Sequence, residues 1–222
     1  PLWIKAPADT KEEEYKEFYQ KMFPMNQEPL FWIHLNVDYP FNLKGILYFP
    51  KVMHELDANK GQVKLFCKQV FVSDNCKDVI PEFLTLLQGA IDCPEIPLNV
   101  SRSYLQNDPY VQKISKHIIK KVADKLNTMF KKDKENFEKI WNDISPFIKY
   151  GMMQNDDFYS KVKDIVIFES STGNKTSIPD YLERNKEKAA DKAIYCADKD
   201  GQATYVNMCK ENGLDALFLH AL

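Results

Sequence analysis

The spacing of hydrophobic and polar residues changes along the chain, and each change marks a different element. In "DTKEEEYKEFYQKMF", Tyr15, Phe18, Tyr19 and Phe23 recur at helical spacing. Asp9 or Thr10 is the predicted N-cap, and acidic residues fill the first turn, where the helix dipole favours them. In "EPLFWIHLNVD", Phe31, Ile33, Leu35 and Val37 alternate, which predicts a strand. "NLKGILYFP" predicts a second strand closed by Pro50, with "DYPFN" as a hairpin connection. "GQVKLFCKQVFVSD" predicts a third, rich in β-forming residues. "IPEFLTLLQGAID" reads as a short helix that runs into Gly89.

After Pro109 the period becomes helical and stays so. "DPYVQKISKHIIKKVADKLNTMFKK" opens with Asp108 as N-cap and proline at the first helical position. Val111, Ile114, Ile118, Val122, Leu126 and Met129 form one apolar stripe. "DKENFEKIWNDISPFIKYGM" predicts a second helix with a kink or break at Pro146, and "DDFYSKVKDIVIFES" a third. Alternation then returns. "SIPDYLERN" predicts a helix capped by Ser177, "KAIYCAD" a strand, "GQATYVNMCKENG" a helix ending at a C′ glycine, Gly213, and "LDALFLH" a strand. Strand, helix, strand is a parallel βαβ unit.

The predicted fold class is α/β. It has two layered α/β modules joined by a helical connector, the N-terminal one larger and the C-terminal one smaller and of βαβ type. The expected boundaries are 1–108, 109–165 for the connector and 166–222.

Composition narrows the function. Of 222 residues, 44% are hydrophobic and 13% aromatic, enough for a core, and the net charge of −2 gives no basic field for nucleic acid. No apolar run approaches the ~18–20 residues that cross a bilayer, so no membrane partner is expected. "PLWIKAPADTKEEEY" lacks the basic and apolar regions of a signal peptide. The missing start methionine and the apolar run at the far end lead to the expectation that the chain is excised from something longer. Five cysteines without C-x-x-C spacing fit buried thiols in a reducing cytoplasm, and four scattered histidines predict no metal site.

None of the seven glycines falls into a phosphate-cradling pattern, and no nucleophile elbow or H-E-x-x-H helix is present. "SSTGNKTS" reads as an exposed loop before a helix. No self-contained active site emerges. What stands out is "PLNVSRSYLQ", in which Asn99, Ser101, Arg102 and Gln106 bring several polar groups to one turn-to-helix segment. Arg102 is one of only two arginines. Its planar fork could clamp a phosphate, pair with a carboxylate or face water, and the residues alone leave these open.

"IPLNVSRSYLQ" resembles the signature segment of the middle domain of the heat-shock protein 90 chaperones, of the bacterial high-temperature protein G type. "PLW", "EPLFWIHLNVD", "GILYFPK", "VKLFCKQVFVSDNCKDVIPEFLTLLQGAID", "ISKHIIKKVADKL", "SIPDYLERN" and "DALFLHAL" resemble other stretches of that domain in the same order.

The resemblance implies a protein of three parts: an N-terminal ATP-binding domain, this middle domain and a C-terminal dimerisation domain. ATP and Mg²⁺ would be bound by the absent N-terminal domain, and this fragment alone would hold no cofactor and be inactive. It implies that Arg102 reaches the γ-phosphate when the N-terminal domain docks, with Gln106 as second polar partner at the catalytic loop. Asn99 and Ser101 would support that loop. Many members carry an acidic residue after the arginine, where this chain has Ser103. Trp3 matches a tryptophan that family members expose, which implies a contact with non-native client proteins, with help from Phe31, Trp32 or Tyr39. The implied whole is a cytoplasmic homodimeric chaperone, and the alternative is a passive interaction scaffold whose arginine is purely structural.

Overall fold

A computed structural model describes residues 1–51, 63–74, 79–96, 108–189 and 192–219. The chain divides into two compact units, Pro1–Lys125 and Leu126–Leu222. Each is a mixed α/β unit built on its own sheet.

The first unit opens with two single 3-10 turns, Leu2–Ile4 and Pro7–Asp9, and helix α1, Glu12–Met22. The N-cap of α1 is Lys11, not Asp9 or Thr10. Asp9 closes the preceding turn, and the Thr10 hydroxyl donates back to the Ala6 carbonyl at 2.8 Å. Glu14 caps instead, accepting from the Lys11 backbone N–H at 2.9 Å.

Five strands follow: β1 Phe31–Val37, β2 Leu43–Phe49, β3 Val63–Cys67, β4 Val70–Ser73 and β5 Gln88–Asp92, in the order β1-β2-β5-β3-β4. The predicted β1–β2 hairpin is present, antiparallel from Phe31↔Phe49 to Val37↔Leu43. Two expectations are corrected. "KLFCKQVFVS" is a hairpin of two strands, because Lys68 and Gln69 both take positive φ and form a two-residue turn. The usual Asn-Gly cue for such a turn is missing. "EFLTLLQGAID" is not a helix but one 3-10 turn, Glu82–Leu84, followed by strand β5. Every residue of β5 is buried, and it lies between β2 and β3. A strand buried on both faces shows no alternation to read.

One face of this sheet carries an aromatic core. Trp3, Tyr15, Tyr19 and Phe23 pack with Ile46, Tyr48 and Ala90. The buried hydroxyls are satisfied: Tyr48 donates to the Tyr15 carbonyl at 2.8 Å and Tyr19 to Gln88 Oε1 at 2.6 Å. Gly89 takes φ +136, and a Cβ there would run into the Ile46 carbonyl of the neighbouring strand.

Helix α2, Pro109–Lys132, starts as predicted: Asp108 Oδ1 accepts from the Tyr110 N–H at 2.7 Å. Its stripe Val111, Ile114, Ile118, Val122 and Leu126 is buried. Helix α3, Lys134–Gln154, is capped by Asp133 and runs unbroken through Pro146. Pro146 is exposed, so the carbonyl it leaves unbonded can be met by water, while Trp141, Ile144 and Ile148 stay buried. The predicted third helix ends early. Helix α4, Asp156–Val162, passes through a 3-10 turn into strand β6, Ile167–Ser170.

The second sheet adds β7 Lys175–Ser177, β8 Tyr195–Cys196 and β9 Leu217–Phe218, in the order β7-β6-β9-β8. Helix α5 spans Ile178–Ala189 and helix α6 Ala203–Glu211. Strands β8 and β9 pair in parallel across α6, which is the predicted βαβ unit. Ser177 Oγ accepts from the Asp180 N–H at 3.3 Å, and Gly213 takes φ +64 past the end of α6. "SSTGNKTS" is corrected from an exposed loop to the turn of the β6–β7 hairpin, with Ser170 and Ser171 buried.

That hairpin is tied down by Asp215, which is 5% exposed. Its carboxylate accepts from Ser171 Oγ at 2.9 Å, from the Thr172 N–H at 3.3 Å and from Arg184 Nη2 at 2.8 Å. Burial pushes its pKa up, but the Ser171 and Arg184 hydrogen bonds outweigh burial and hold it below the usual carboxylate value. A folded-state pKa below the unfolded one stabilises above the unfolded value, and the gain is lost as pH falls through the folded value. We expect Asp215→Ala to cost about 1.5–3 kcal/mol at pH 7 in urea denaturation. That cost should shrink on acidification below the ordinary aspartate value of about 3.9. A cost that is independent of pH would refute the assignment.

Candidate functional site

Asn99, Ser101, Arg102 and Gln106 lie in 97–107, outside the described residues. What the structure describes is the two stretches of chain that flank that segment in sequence, called here its feet. The first foot is the end of β5 and the turn Cys93–Ile96. It is anchored at every residue. The Cys93 N–H donates to the Phe66 carbonyl at 2.9 Å, and Cys67 Sγ approaches the Pro94 carbonyl at 3.6 Å. The Glu95 carboxylate accepts from the Asn42 N–H at 3.2 Å and from Asn42 Nδ2 at 2.9 Å. Ile96 is 2% exposed. The second foot is the capped start of α2, Asp108–Tyr110.

The two feet touch. Cys93 Sγ lies 3.5 Å from the Tyr110 hydroxyl. The Tyr110 ring meets Phe41 edge-on at 5.9 Å, and Phe41 is buried next to Asn42. Phe41 and Asn42, consecutive in sequence just before β2, therefore each hold one foot. Burial pushes the Cys93 thiol up to about 12, so it is held as a neutral thiol and not as a nucleophile.

Beside the first foot, Asp92 is buried at the end of β5. Its Oδ2 accepts from the Gln69 N–H at 2.9 Å and from Trp3 Nε1 at 3.3 Å. One carboxylate thus holds the left-handed β3–β4 turn, the central strand and the N-terminal turn together. This corrects the expected exposure of Trp3. The side chain is 4% exposed, with its ring against Phe66 at 4.9 Å and Phe18 at 5.8 Å. An apolar ring with one polar N–H is well served by a dry pocket that ends in a carboxylate. Phe31 is also buried, Trp32 stacks on Tyr15 at 5.1 Å, and Tyr39 is 88% exposed.

Sequence reasoning passed over Asn42, Glu95 and Tyr110. None falls in a motif, and their proximity exists only once β2, β5 and α2 are in place. Among the described residues no group of three or more His, Cys, Asp or Glu is placed to hold a metal ion. Nor is any described helix long and apolar enough to cross a membrane.

The family described as Hsp90 protein matches residues 1–221. The HtpG chaperones of Bacteroides fragilis and Porphyromonas gingivalis are each 47% identical over 224 residues, 99% of this chain and 33% of the relative. An endoplasmin homolog of Caenorhabditis elegans is 31% identical over 99% of this chain and 30% of its own length. The middle domain of a Plasmodium falciparum heat shock protein superposes with a TM-score of 0.77 at 25% identity, covering 99% of this chain and 88% of that one. The chain belongs to the Hsp90 family. Within it, the chain matches the middle domain and is similar to bacterial HtpG. It spans about a third of the length of these curated relatives.

Because Trp3 is a core residue, Trp3→Ala should destabilise the protein by about 3–5 kcal/mol in chemical denaturation. A change within about 0.5 kcal/mol, as at an exposed site, would contradict its burial.

Proposed function

We propose that this chain is the middle domain of an ATP-dependent, cytoplasmic chaperone and that it completes an ATPase site held elsewhere in the protein. In this reading the N-terminal domain binds ATP and Mg²⁺, a C-terminal domain makes the homodimer, and closure brings Arg102 to the γ-phosphate. Gln106 is the second polar partner there, and Asn99 and Ser101 order the loop. What supports the reading is the resemblance of "IPLNVSRSYLQ" to the family's signature segment, on a chain whose family membership spans its length. The anchoring of both feet of the segment supports it, because a transferred arginine must arrive in a fixed geometry.

The chemistry suits an arginine. Phosphoryl transfer needs charge stabilised on the transferring group more than it needs covalent help. A guanidinium supplied from a separate domain makes hydrolysis contingent on closure, so that turnover follows the conformational cycle.

Client contact is the second half of the proposal. Trp3, Phe31 and Trp32 are engaged in the sheet's own packing, which leaves Tyr39 as the aromatic of that group presented to solvent. We assign it a role in holding non-native proteins.

In the full-length protein, Arg102→Ala should lower ATP turnover ~10²-fold or more while ATP affinity holds, as for arginines that act on the transition state. Unchanged turnover would favour the scaffold reading, in which the arginine is structural. Tyr39→Ser in the same protein should weaken binding of a permanently unfolded test protein and leave turnover as it is. Unaltered binding would remove Tyr39 from the client surface.

A further inference from the structure

We infer that Asn42 and Glu95 are positioning residues for the segment that carries Arg102, an inference that rests on the function proposed above. Four contacts, with the chain itself, close a ring through the two described stretches that flank that segment in sequence. Asn42 donates twice to the Glu95 carboxylate, through Nδ2 at 2.9 Å and its backbone N–H at 3.2 Å. Glu95 sits two residues after Cys93, whose thiol lies 3.5 Å from the Tyr110 hydroxyl. The Tyr110 ring rests edge-on against Phe41, and Phe41 is covalently next to Asn42.

The ring has a division of labour. Phe41, Cys93 and Ile96 are buried, so their packing holds the fold whether or not the segment acts on anything. Asn42 and Glu95 are exposed, and their removal opens no cavity. A bidentate contact to an ionised carboxylate at a surface adds little to global stability, but it fixes direction. Here it fixes the turn Cys93–Ile96, the last described residues before the arginine segment in sequence. The same two residues set the foot against β2, which is hydrogen-bonded to β5 from Lys44↔Asp92 onwards. Loss of the clamp leaves β5 in place and frees the turn that follows it. Because a misplacement of about 1 Å can cost a catalytic group much of its effect, such a loss should appear in turnover before it appears in folding.

The test uses the full-length protein and four chains: wild type, Glu95→Ala, Arg102→Ala and the double variant. Glu95→Ala should lower ATP turnover roughly three- to tenfold, the scale of one ordinary hydrogen bond at a solvent-exposed site, with ATP affinity and melting temperature close to wild type. Glu95→Gln, which keeps an acceptor oxygen for Asn42 Nδ2, should recover most of the loss, and Asn42→Ala, which keeps the backbone donor, should give a smaller loss in the same direction. In the Arg102→Ala background Glu95→Ala should have no further effect, because it acts only through the arginine. Unchanged turnover in Glu95→Ala overturns the inference. So does an equal loss in both backgrounds. If Arg102→Ala itself leaves turnover unchanged, the proposed function fails first, and the two failures are told apart by the single variants.

Discussion

The N-terminal unit depends on one strand, β5, that is buried on both faces and hydrogen-bonded on both edges. It runs antiparallel to β2 and parallel to β3. Such a strand has no solvent side on which to place a misfit. Two glycines let it approach β2 closely: a Cβ at Gly45 would meet the backbone of Ala90 and Ile91, and one at Gly89 the carbonyl of Ile46. At its far end the strand carries a carboxylate into the interior. Asp92 takes hydrogen bonds from Trp3 and from the β3–β4 turn, so elements 89 positions apart in sequence meet at one residue.

Asp92 Oδ2 takes both hydrogen bonds while its buried Oδ1 has no partner among the described residues, so the residue specifies an arrangement more than it stabilises one. Lys68 and Gln69 are not residues that choose the left-handed region unaided. The donation of the Gln69 N–H to Asp92 helps to offset that strain, and Trp3 fills the space above. The turn Cys93–Ile96 inherits the rigidity. Under the proposed reading, that rigidity matters because an arginine delivered across a domain boundary acts only if its base does not drift.

How much of this was legible in the sequence depended on whether the signal was local. Helix α2 announced itself through Asp108, Pro109 and a stripe of apolar residues, and helix α6 through Gly213. The parallel βαβ unit followed from the order of its elements. Strand β5 was missed because its pattern is set by neighbours on both sides, and "EFLTLL" also satisfies a helical spacing. The β3–β4 turn was missed because a distant carboxylate supplies what Asn-Gly would supply locally. Trp3 was misplaced for the same reason, since its partner Asp92 stands far along the chain. The arginine segment stood out as a cluster of polar residues, but a role for it was legible only as a family resemblance. The bracket around its feet was not legible at all, because Phe41, Asn42, Cys93, Glu95 and Tyr110 become neighbours only after the sheet has closed.

The burial of Cys93 has a consequence of another kind. Its thiol is 0% exposed and, with its pKa pushed up to about 12, is almost wholly unionised at neutral pH. Thiolate-seeking reagents therefore reach it only through excursions that lift the end of β5 away from Phe66 and Tyr110. The residue is a built-in clock for that excursion: the rate at which it is labelled counts how often the end of β5 comes loose.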